Sequence, residues 1–370
     1  MFKEFVENRQ FNFQINRFLG GFYTDPEIKK DIDSVLPILT DTDAWYKSWR
    51  KLGEQSEEKG QFELAAAYYE AGNFYLRQND PNKKYMYNKF KENFYKSYKE
   101  LPLEHFQVPY ENSFLSAVGV KFENSTKTLL IHGGYDSCLE EIIPCLAYFK
   151  GLGYDIIAFE GPGQGGVLMN GLKFIHNWEK PVSAILDYFN LEEASILGCS
   201  WGGYFCLRAA AFEKRIKEVI CYDIFYCGMD VISMSNKEMR DKLEKLLDNN
   251  EKDKINELMS AKMKGDIDFN WKICKGMDNT GTETPYDFLK AIRLHTMAGI
   301  EKFVDQDLLL LAGEEDQYVP IETLALLENN LVNAKSITKK VFTKETGGEQ
   351  HCQAGRMDLA FDEIKKFLTR

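Results

Sequence analysis

The residues with the clearest chemical content are 195–203, S-I-L-G-C-S-W-G-G. A short apolar run climbs into Gly198, then come Ser200, Gly202 and Gly203, then an Ala/Phe/Leu-rich segment. Gly-x-Ser-x-Gly between a strand-like and a helix-like segment suits a sharp turn that lifts the serine Oγ clear of a sheet, where it can act as a nucleophile. The backbone there is strained, and neighbouring chains pass so close that positions two before and two after the serine tolerate little more than hydrogen. The following helix would aim the Trp201 N–H at an oxyanion forming beside the serine. At average glycine usage the pattern arises by chance in roughly one chain in ten of this length. A surface serine in an ordinary strand–turn–helix has the same spelling, so the serine needs partners.

Five histidines are available: His105, His132, His176, His295 and His351. His351 lies in T-G-G-E-Q-H-C (346–352), a loop between the last strand-like run and the last helix-like run. Upstream, the run 308–312 leads into G-E-E-D-Q-Y-V-P (313–320), where Asp316 is the natural acid to orient the imidazole. Ser200, Asp316 and His351, each after a strand and in this order, have the arrangement of a Ser-His-Asp hydrolase. Asp223, after the strand that follows the elbow helix, is the alternative acid; Glu314 and Glu315 are weaker choices. A second oxyanion donor is expected from the backbone N–H of Gly134 or Tyr135, in the glycine-rich loop after 127–132. His132 is read as a support of that loop.

These residues need a sheet to bring them together. Strands are expected at 105–110, 114–121, 127–132, 154–160, near 195–199, and at 218–222, 308–312 and 336–343. Helices are expected at 138–150 and 181–189, after the elbow, near 321–328, and at 358–369. Short apolar strands alternating with helices indicate an α/β fold, a mostly parallel sheet with helices on both faces. Residues 1–104 read as a helical N-terminal cap segment, with Trp45, Trp49 and Leu52, then Phe62, Ala65, Ala66 and Tyr69, at helical spacing. Their aromatic residues are expected to pack between helices, the sharper reading being that part of this face roofs the site. Residues 105–225 and 304–370 form the catalytic domain on this reading. Residues 226–303 break the rhythm with helices at 237–249, 251–264 and 285–297, and hold seven of the eleven methionines. A stretch of that length is expected to be an inserted helical lid, its methionines filling gaps or offering an adaptable apolar surface.

Several classes are disfavoured. Residues 161–166 spell G-x-G-x-x-G, but Pro162 interrupts the turn, V-L-M-N-G-L does not begin a convincing helix, and the preceding strand is not the first of its sheet. The net charge of −11 without a basic run argues against nucleic acid or an anionic membrane as partner. The eight cysteines show no metal-like spacing and read as reduced thiols. The start, M-F-K-E-F-V-E-N-R-Q, has no signal-peptide pattern and no stretch reaches membrane-spanning length. The expectation is a cytoplasmic enzyme with no metal and no organic cofactor, acting on a small molecule or short peptide. A homodimer is compatible with the sequence.

H-G-G-Y-D-S (132–137), F-E-G-P-G-Q-G (159–165) and H-C-Q-A-G (351–355) resemble one subgroup of the α/β-hydrolase superfamily. This helical-cap subgroup includes 2,6-dihydropseudooxynicotine hydrolase, fungal hydrolases that shorten polyketides, and bacterial proteins labelled acylaminoacyl peptidase-like. The Trp45/Trp49 helix and A-A-A-Y-Y-E-A-G-N-F-Y (65–75) are similar to its N-terminal segment, and 226–303 match it poorly. The resemblance implies an α/β-hydrolase fold with a helical cap. The expected reaction is cleavage of an ester, amide or short acyl-peptide bond. Carbon–carbon hydrolysis of a 1,3-dicarbonyl is the alternative the subgroup suggests, and a non-catalytic ligand-binding protein is a third.

Overall fold

The computed structural model describes residues 2–234 and 236–370. Met1 and Ser235, which fall in the expected N-terminal segment and lid, lie outside the described residues. The chain divides into two compact units, one holding the chain up to Glu100 together with Lys262–Cys274, the other Leu101–Ala261 and Lys275–Arg370.

The first unit contains helices α1 (Arg9–Leu19), α2 (Pro26–Val35), α3 (Thr42–Glu58), α4 (Phe62–Asn73) and α5 (Lys83–Ser97). Asp25 and Asp41 accept from the first backbone N–H groups of α2 and α3, satisfying donors that have no partner within a helix. Trp45, Trp49, Leu52, Tyr68 and Ala71 share one core. The Trp49 and Tyr68 rings stack at 5.9 Å, and the Trp45 indole N–H donates to the Ala71 carbonyl at 2.7 Å. Helical spacing reports the α3 face, Trp45, Trp49 and Leu52, whereas α4 is buried nearly all round. It enters this core through Leu64, Ala67, Tyr68 and Ala71; Ala65, Ala66 and Tyr69 are buried outside it, and Phe62 is half-buried.

The second unit is built on eight strands: β1 (Glu104–Tyr110), β2 (Ser113–Val120), β3 (Lys127–His132), β4 (Tyr154–Phe159), β5 (Ala194–Cys199), β6 (Ile216–Tyr222), β7 (Asp307–Gly313) and β8 (Ser336–Phe342). They lie in the order β1-β2-β4-β3-β5-β6-β7-β8. The first two are antiparallel additions and β4-β3-β5-β6-β7-β8 run parallel. Strands β3 to β7 are nearly all apolar and buried, as a sheet covered on both faces requires. From β3 the chain steps to one side to form β4, then crosses back to form β5. With right-handed crossovers, that reversal puts successive helices on opposite faces and opens a crevice at the carboxyl ends of β3 and β5.

The β3–β4 crossover is not one α-helix. It is α6 (Leu139–Ile142) continued as a 3₁₀ segment, Ile143–Phe149, because Pro144 at its start cannot donate to an α-helical ladder. The other crossover helices are α7 (Gly165–Met169), α8 (Glu179–Tyr188) and α9 (Gly202–Phe212). The helical turn α7 takes in residues 167–169, the start of the V-L-M-N-G-L run that is expected not to begin a helix. Beyond β6 come α10 (Gly228–Ile232), α11 (Lys237–Asp248), α12 (Lys252–Met263), α13 (Ile267–Thr280) and α14 (Pro285–Ile292). Residues 262–274, from the end of α12 into α13, group with the N-terminal helices rather than with the rest of 226–303. Met229, Met259, Met277 and Met297 are buried, as gap-filling side chains are. Helix α15 (Glu322–Asn330) precedes β8, and α16 (Met357–Leu368) closes the fold.

One buried carboxylate ties two of these turns together. Glu160, 3% exposed at the end of β4, accepts from Leu139 N at 2.8 Å and from Gly166 N at 2.9 Å, so it serves the N-termini of both α6 and α7. Glu160→Gln turns one acceptor into a donor facing an N–H. Loss of a charge-assisted bond with a buried donor left unpaired costs about 2–3 kcal/mol. The expected outcome is a fall of that size in urea-unfolding stability, and an unchanged midpoint would refute this account of the two turns.

Candidate active site

Ser200 occupies the turn between β5 and α9 with φ of +60°, the left-handed region that a side chain rarely enters. Its N–H donates to the Tyr222 carbonyl at 2.6 Å, and its own carbonyl accepts from Gly203 N at 2.9 Å. A Cβ on Gly198 would sit 2.0 Å from the Gly202 carbonyl oxygen. The flanking constraint differs from the sequence expectation on the far side. A Cβ on Gly202 meets nothing closer than 3.0 Å, whereas one on Gly203 would lie 1.9 Å from the Asp223 carbonyl oxygen. The stricter second glycine is thus Gly203, because α9 packs against the end of β6 there.

Strand register brings the other groups to this turn. Cys199 pairs with Tyr222, Tyr222 with Leu311, and Gly313 with Phe342, so the loops after β6, β7 and β8 open beside Ser200. Ser200 Oγ lies 2.8 Å from His351 Nε2, and His351 Nδ1 lies 2.6 Å from Asp316 Oδ2. Asp316 Oδ1 accepts from Tyr318 N at 2.7 Å and Val319 N at 2.9 Å, a side-chain turn that aims Oδ2 at the ring. Glu314 and Glu315 are exposed beside it. Asp223 is fully buried, its Oδ1 accepts from Ile224 N at 2.6 Å, and its Oδ2 stands 3.5 Å from His351 Nδ1. Both acids named from sequence therefore reach the imidazole, with Asp316 at hydrogen-bond length. The His351 loop is held by a residue that sequence reasoning missed: Tyr222, whose hydroxyl donates to the Cys352 carbonyl at 2.7 Å.

The charges divide unequally. Burial disfavours an ionised Asp316, yet the imidazole beside it and the turn N–H groups outweigh that and hold it at about 2. Burial, then the charge of Asp316, pushes Asp223 well above the carboxylate range, so it carries a proton. Burial also opposes charge on His351, and the Asp316 carboxylate overrides it, holding the imidazole well above its ordinary value. Above that raised value the ring is neutral, Nδ1–H donates to Asp316, and the Nε2 lone pair faces the Ser200 hydroxyl.

On the other side of Ser200, the Trp201 N–H has no acceptor among the described residues. Gly134 approaches it so closely that a Cβ would sit 2.6 Å from Trp201 N. The Gly134 N–H donates to Ser137 Oγ at 2.9 Å and is already engaged. Gln164, 2% exposed, donates through Nε2 to the Gly133 and Gly134 carbonyls at 2.8 and 2.9 Å and accepts from Gly161 N at 2.8 Å. The glycine-rich 161–166 segment thus braces the β3 loop. Its signal in the sequence was a polar Gln between glycines directly after a buried strand. His132 Nδ1 lies 3.0 Å from the Gly133 carbonyl, and its ring packs among Phe159, Trp178 and Phe205. His105 is exposed on β1, while His176 and His295 lie away from Ser200 Oγ, in the cluster around Tyr204.

An alpha/beta hydrolase fold family model matches residues 128–258. Hydrolase acrC of Aspergillus aculeatus is 29% identical over 61% of this chain and 64% of its own length. The 20-hydroxy-prefusarin hydrolase of Gibberella moniliformis is 29% identical over 58% of this chain and 60% of its own. The match therefore spans less than two thirds of these curated relatives. The crystal structure of the 2,6-dihydroxy-pseudo-oxynicotine hydrolase superposes with a TM-score of 0.63 at 16% identity, over 89% of this chain and 87% of that one. The chain has the α/β-hydrolase fold. In an α/β-hydrolase the oxyanion donors come from the residue after the serine and from the loop after β3. In this α/β-hydrolase fold those places hold Trp201, and Gly134 with Tyr135. Among the described residues no helix is long and apolar enough to cross a membrane, and all eight cysteines are free.

Burial pushes His132 down to about 4, only partly offset by its bond to the Gly133 carbonyl. The unfolded chain therefore takes up a proton near the ordinary imidazole value that the folded chain refuses. Stability is complete above that value and falls as pH drops from 6.5 toward 4, by roughly 3 kcal/mol for a displacement of this size. His132→Asn keeps a donor for Gly133 without the titration. Its unfolding free energy is expected to fall less over that window than the parent's, and parallel curves would contradict the assignment.

Proposed function

We propose that this protein is a serine hydrolase cleaving an ester, amide or short acyl-peptide bond of a small or medium substrate. The observation that carries the reading is the chain of contacts from Ser200 Oγ through His351 to Asp316, at 2.8 and 2.6 Å, beside the open Trp201 N–H. His351 Nε2 takes the Ser200 proton as Oγ attacks the carbonyl carbon. Asp316 orients the ring and favours the imidazolium as it forms. The oxyanion is held by the N–H groups of Trp201 and Tyr135, an interaction typically contributing about 3–4 kcal/mol per donor. Gly134, whose N–H serves Ser137, is the alternative donor from that loop. His351 then protonates the leaving group, and water repeats the sequence on the acyl-enzyme. No step calls for a metal or an organic cofactor. A small substrate is favoured by the relatives, one of which is named a 20-hydroxy-prefusarin hydrolase.

That name, with the subgroup resemblance, also supports the second reading, carbon–carbon hydrolysis of a 1,3-dicarbonyl by the same serine. A panel of activated esters, aminoacyl amides and 1,3-diketones separates the two, and turnover of diketones alone would overturn the first. A single fluorophosphonate adduct on the parent, absent from Ser200→Ala, is the expected mass-spectrometric result. No adduct on folded protein would move the reading to a ligand-binding protein.

Asp316 as acid predicts that Asp316→Asn lowers kcat/KM on the order of 10²–10⁴-fold, with Asp223→Asn far milder. The reverse ranking would make Asp223 the acid. Because the base must be neutral, kcat/KM rises with pH along a limb set by His351. The Asp316 carboxylate raises that limb, so Asp316→Asn is expected to move it to lower pH.

A further inference from the structure

The insertion between β6 and β7 carries two buried polar side chains that the mechanism above does not use, and each ends on a residue of the oxyanion site. Asn279, near the end of α13 and fully buried, donates through Nδ2 to the Tyr135 carbonyl at 2.6 Å. Its own carbonyl accepts from Phe174 N at 2.8 Å. His295, 2% exposed, accepts the Trp201 indole N–H on Nδ1 at 3.2 Å. The Trp201 ring has little freedom beyond this. Tyr135 stacks on it at 5.1 Å, Phe225 packs against it at 4.5 Å, and a Cβ on Gly228 would fall 2.8 Å from its Cζ2. His295 is held in turn by the Phe174 ring, stacked at 4.9 Å, and by its carbonyl accepting from Gly228 N at 2.8 Å.

We infer that the insertion acts as a two-point clamp on the oxyanion hole, with His295 positioning Trp201 and Asn279 positioning Tyr135. This rests on the serine-hydrolase reading. The physical argument is one of tolerance. An oxyanion donor is effective only within a few tenths of an ångström of the position the charge will occupy, and such precision comes from side chains locked by packing and supporting hydrogen bonds. The backbone N–H groups of Trp201 and Tyr135 sit on turns. The Trp201 indole anchors that residue's side chain, and the Tyr135 carbonyl anchors the peptide that follows the donor. The peptide that carries the Tyr135 N–H is held through the Gly134 carbonyl by Gln164 Nε2 at 2.9 Å, so Asn279 and Gln164 pin the Tyr135 turn from its two sides. Acceptance by Nδ1 requires a neutral imidazole with its proton on Nε2. Burial, reinforced by His176 and Arg208, holds His295 well below its ordinary value and so keeps the lone pair available. Neither residue touches the reacting atoms; both are positioning residues.

The test uses four single variants of the full chain and the double variant Trp201→Phe/His295→Phe, each checked for an unchanged thermal midpoint. His295→Phe keeps the stacking on Phe174 and removes the acceptor, His295→Asn restores an acceptor near Nδ1, Asn279→Ala removes the donor to Tyr135, and Trp201→Phe removes the indole N–H. Two rates are read: fluorophosphonate labelling of Ser200, whose phosphoryl oxygen enters the oxyanion hole, and kcat with KM on the best activated ester. His295→Phe, Trp201→Phe and Asn279→Ala are each expected to lower the labelling rate and kcat about 10-fold with KM within twofold, a fraction of what complete loss of a donor costs. His295→Asn is expected within threefold of the parent, and Trp201→Phe/His295→Phe no worse than either alone. Parental rates in His295→Phe and Asn279→Ala, or equal losses in His295→Asn and His295→Phe, would overturn the clamp. A readout without turnover keeps the two proposals apart. The Trp201 indole N–H cross-peak, assigned by its loss in Trp201→Phe, is expected to shift and exchange faster in His295→Phe and to stay near its parental position in His295→Asn. An unmoved cross-peak refutes the His295 contact even if labelling succeeds. A moved cross-peak on a parent that never labels leaves the contact standing and removes the hydrolase.

Discussion

The site depends on one backbone hydrogen bond, from the Ser200 N–H to the Tyr222 carbonyl at 2.6 Å. It joins the turn after β5 to the end of β6 and holds Ser200 at positive φ while α9 departs in a new direction. The strain of that conformation is tolerated because packing on every side leaves no alternative: Gly198 against the Gly202 carbonyl, Gly203 against Asp223, Gly134 against Trp201 N. A methyl group at any of the three would force backbone apart. The serine is thus presented by steric exclusion, and its hydrogen bond to His351 follows from where the neighbouring loops can lie.

A second constraint is the distribution of charge around His351. Two carboxyl groups face one imidazole in a volume almost closed to water, and like charges that close cannot both ionise. Asp316 wins the charge because it stands 2.6 Å from His351 Nδ1, against 3.5 Å for Asp223, and two turn N–H groups add to that support. The asymmetry therefore comes from distance to the imidazole, and then from local backbone donors, rather than from the residue types, which are identical. The neutral partner also limits the net charge buried with the ring.

The parts of the sequence that looked like independent motifs turn out to be one structure. The glycine-rich 161–166 segment spells G-x-G-x-x-G, and its work is structural: Gln164 spends its amide on the Gly133 and Gly134 carbonyls, and the adjoining Glu160 serves two helix N-termini. The insertion, read as a lid, sends Asn279 and His295 to the loop after β3 and to Trp201. The β3 loop, the starts of α6 and α7, and the Trp201 indole are thereby each fastened by a buried polar side chain with a named acceptor or donor. An arrangement of that kind suits chemistry in which small displacements of a donor matter.

What the sequence determined by itself was whatever local chemistry and periodicity can encode. The strand-to-helix turn at Ser200 was legible because only glycine fits beside it, and β3 to β7 because buried parallel strands are continuous apolar runs. His351 and Asp316 were legible because each follows a strand in a loop with turn residues. The crossover at 138–150 was misjudged as a single helix, since apolar periodicity outweighed the effect of Pro144. Tertiary structure decided what depends on distance between segments far apart in the chain. It set which of Asp316 and Asp223 sits at hydrogen-bond length from His351, that Ser137 occupies the Gly134 N–H, and that residues 262–274 group with the N-terminal helices. It also determined that Asn279 ends on the Tyr135 carbonyl and His295 on the Trp201 indole. An asparagine in a helix and a histidine after one carry no local signal of their partners. A hydrogen bond is a matter of tenths of an ångström, and only the packed sheet sets distances on that scale.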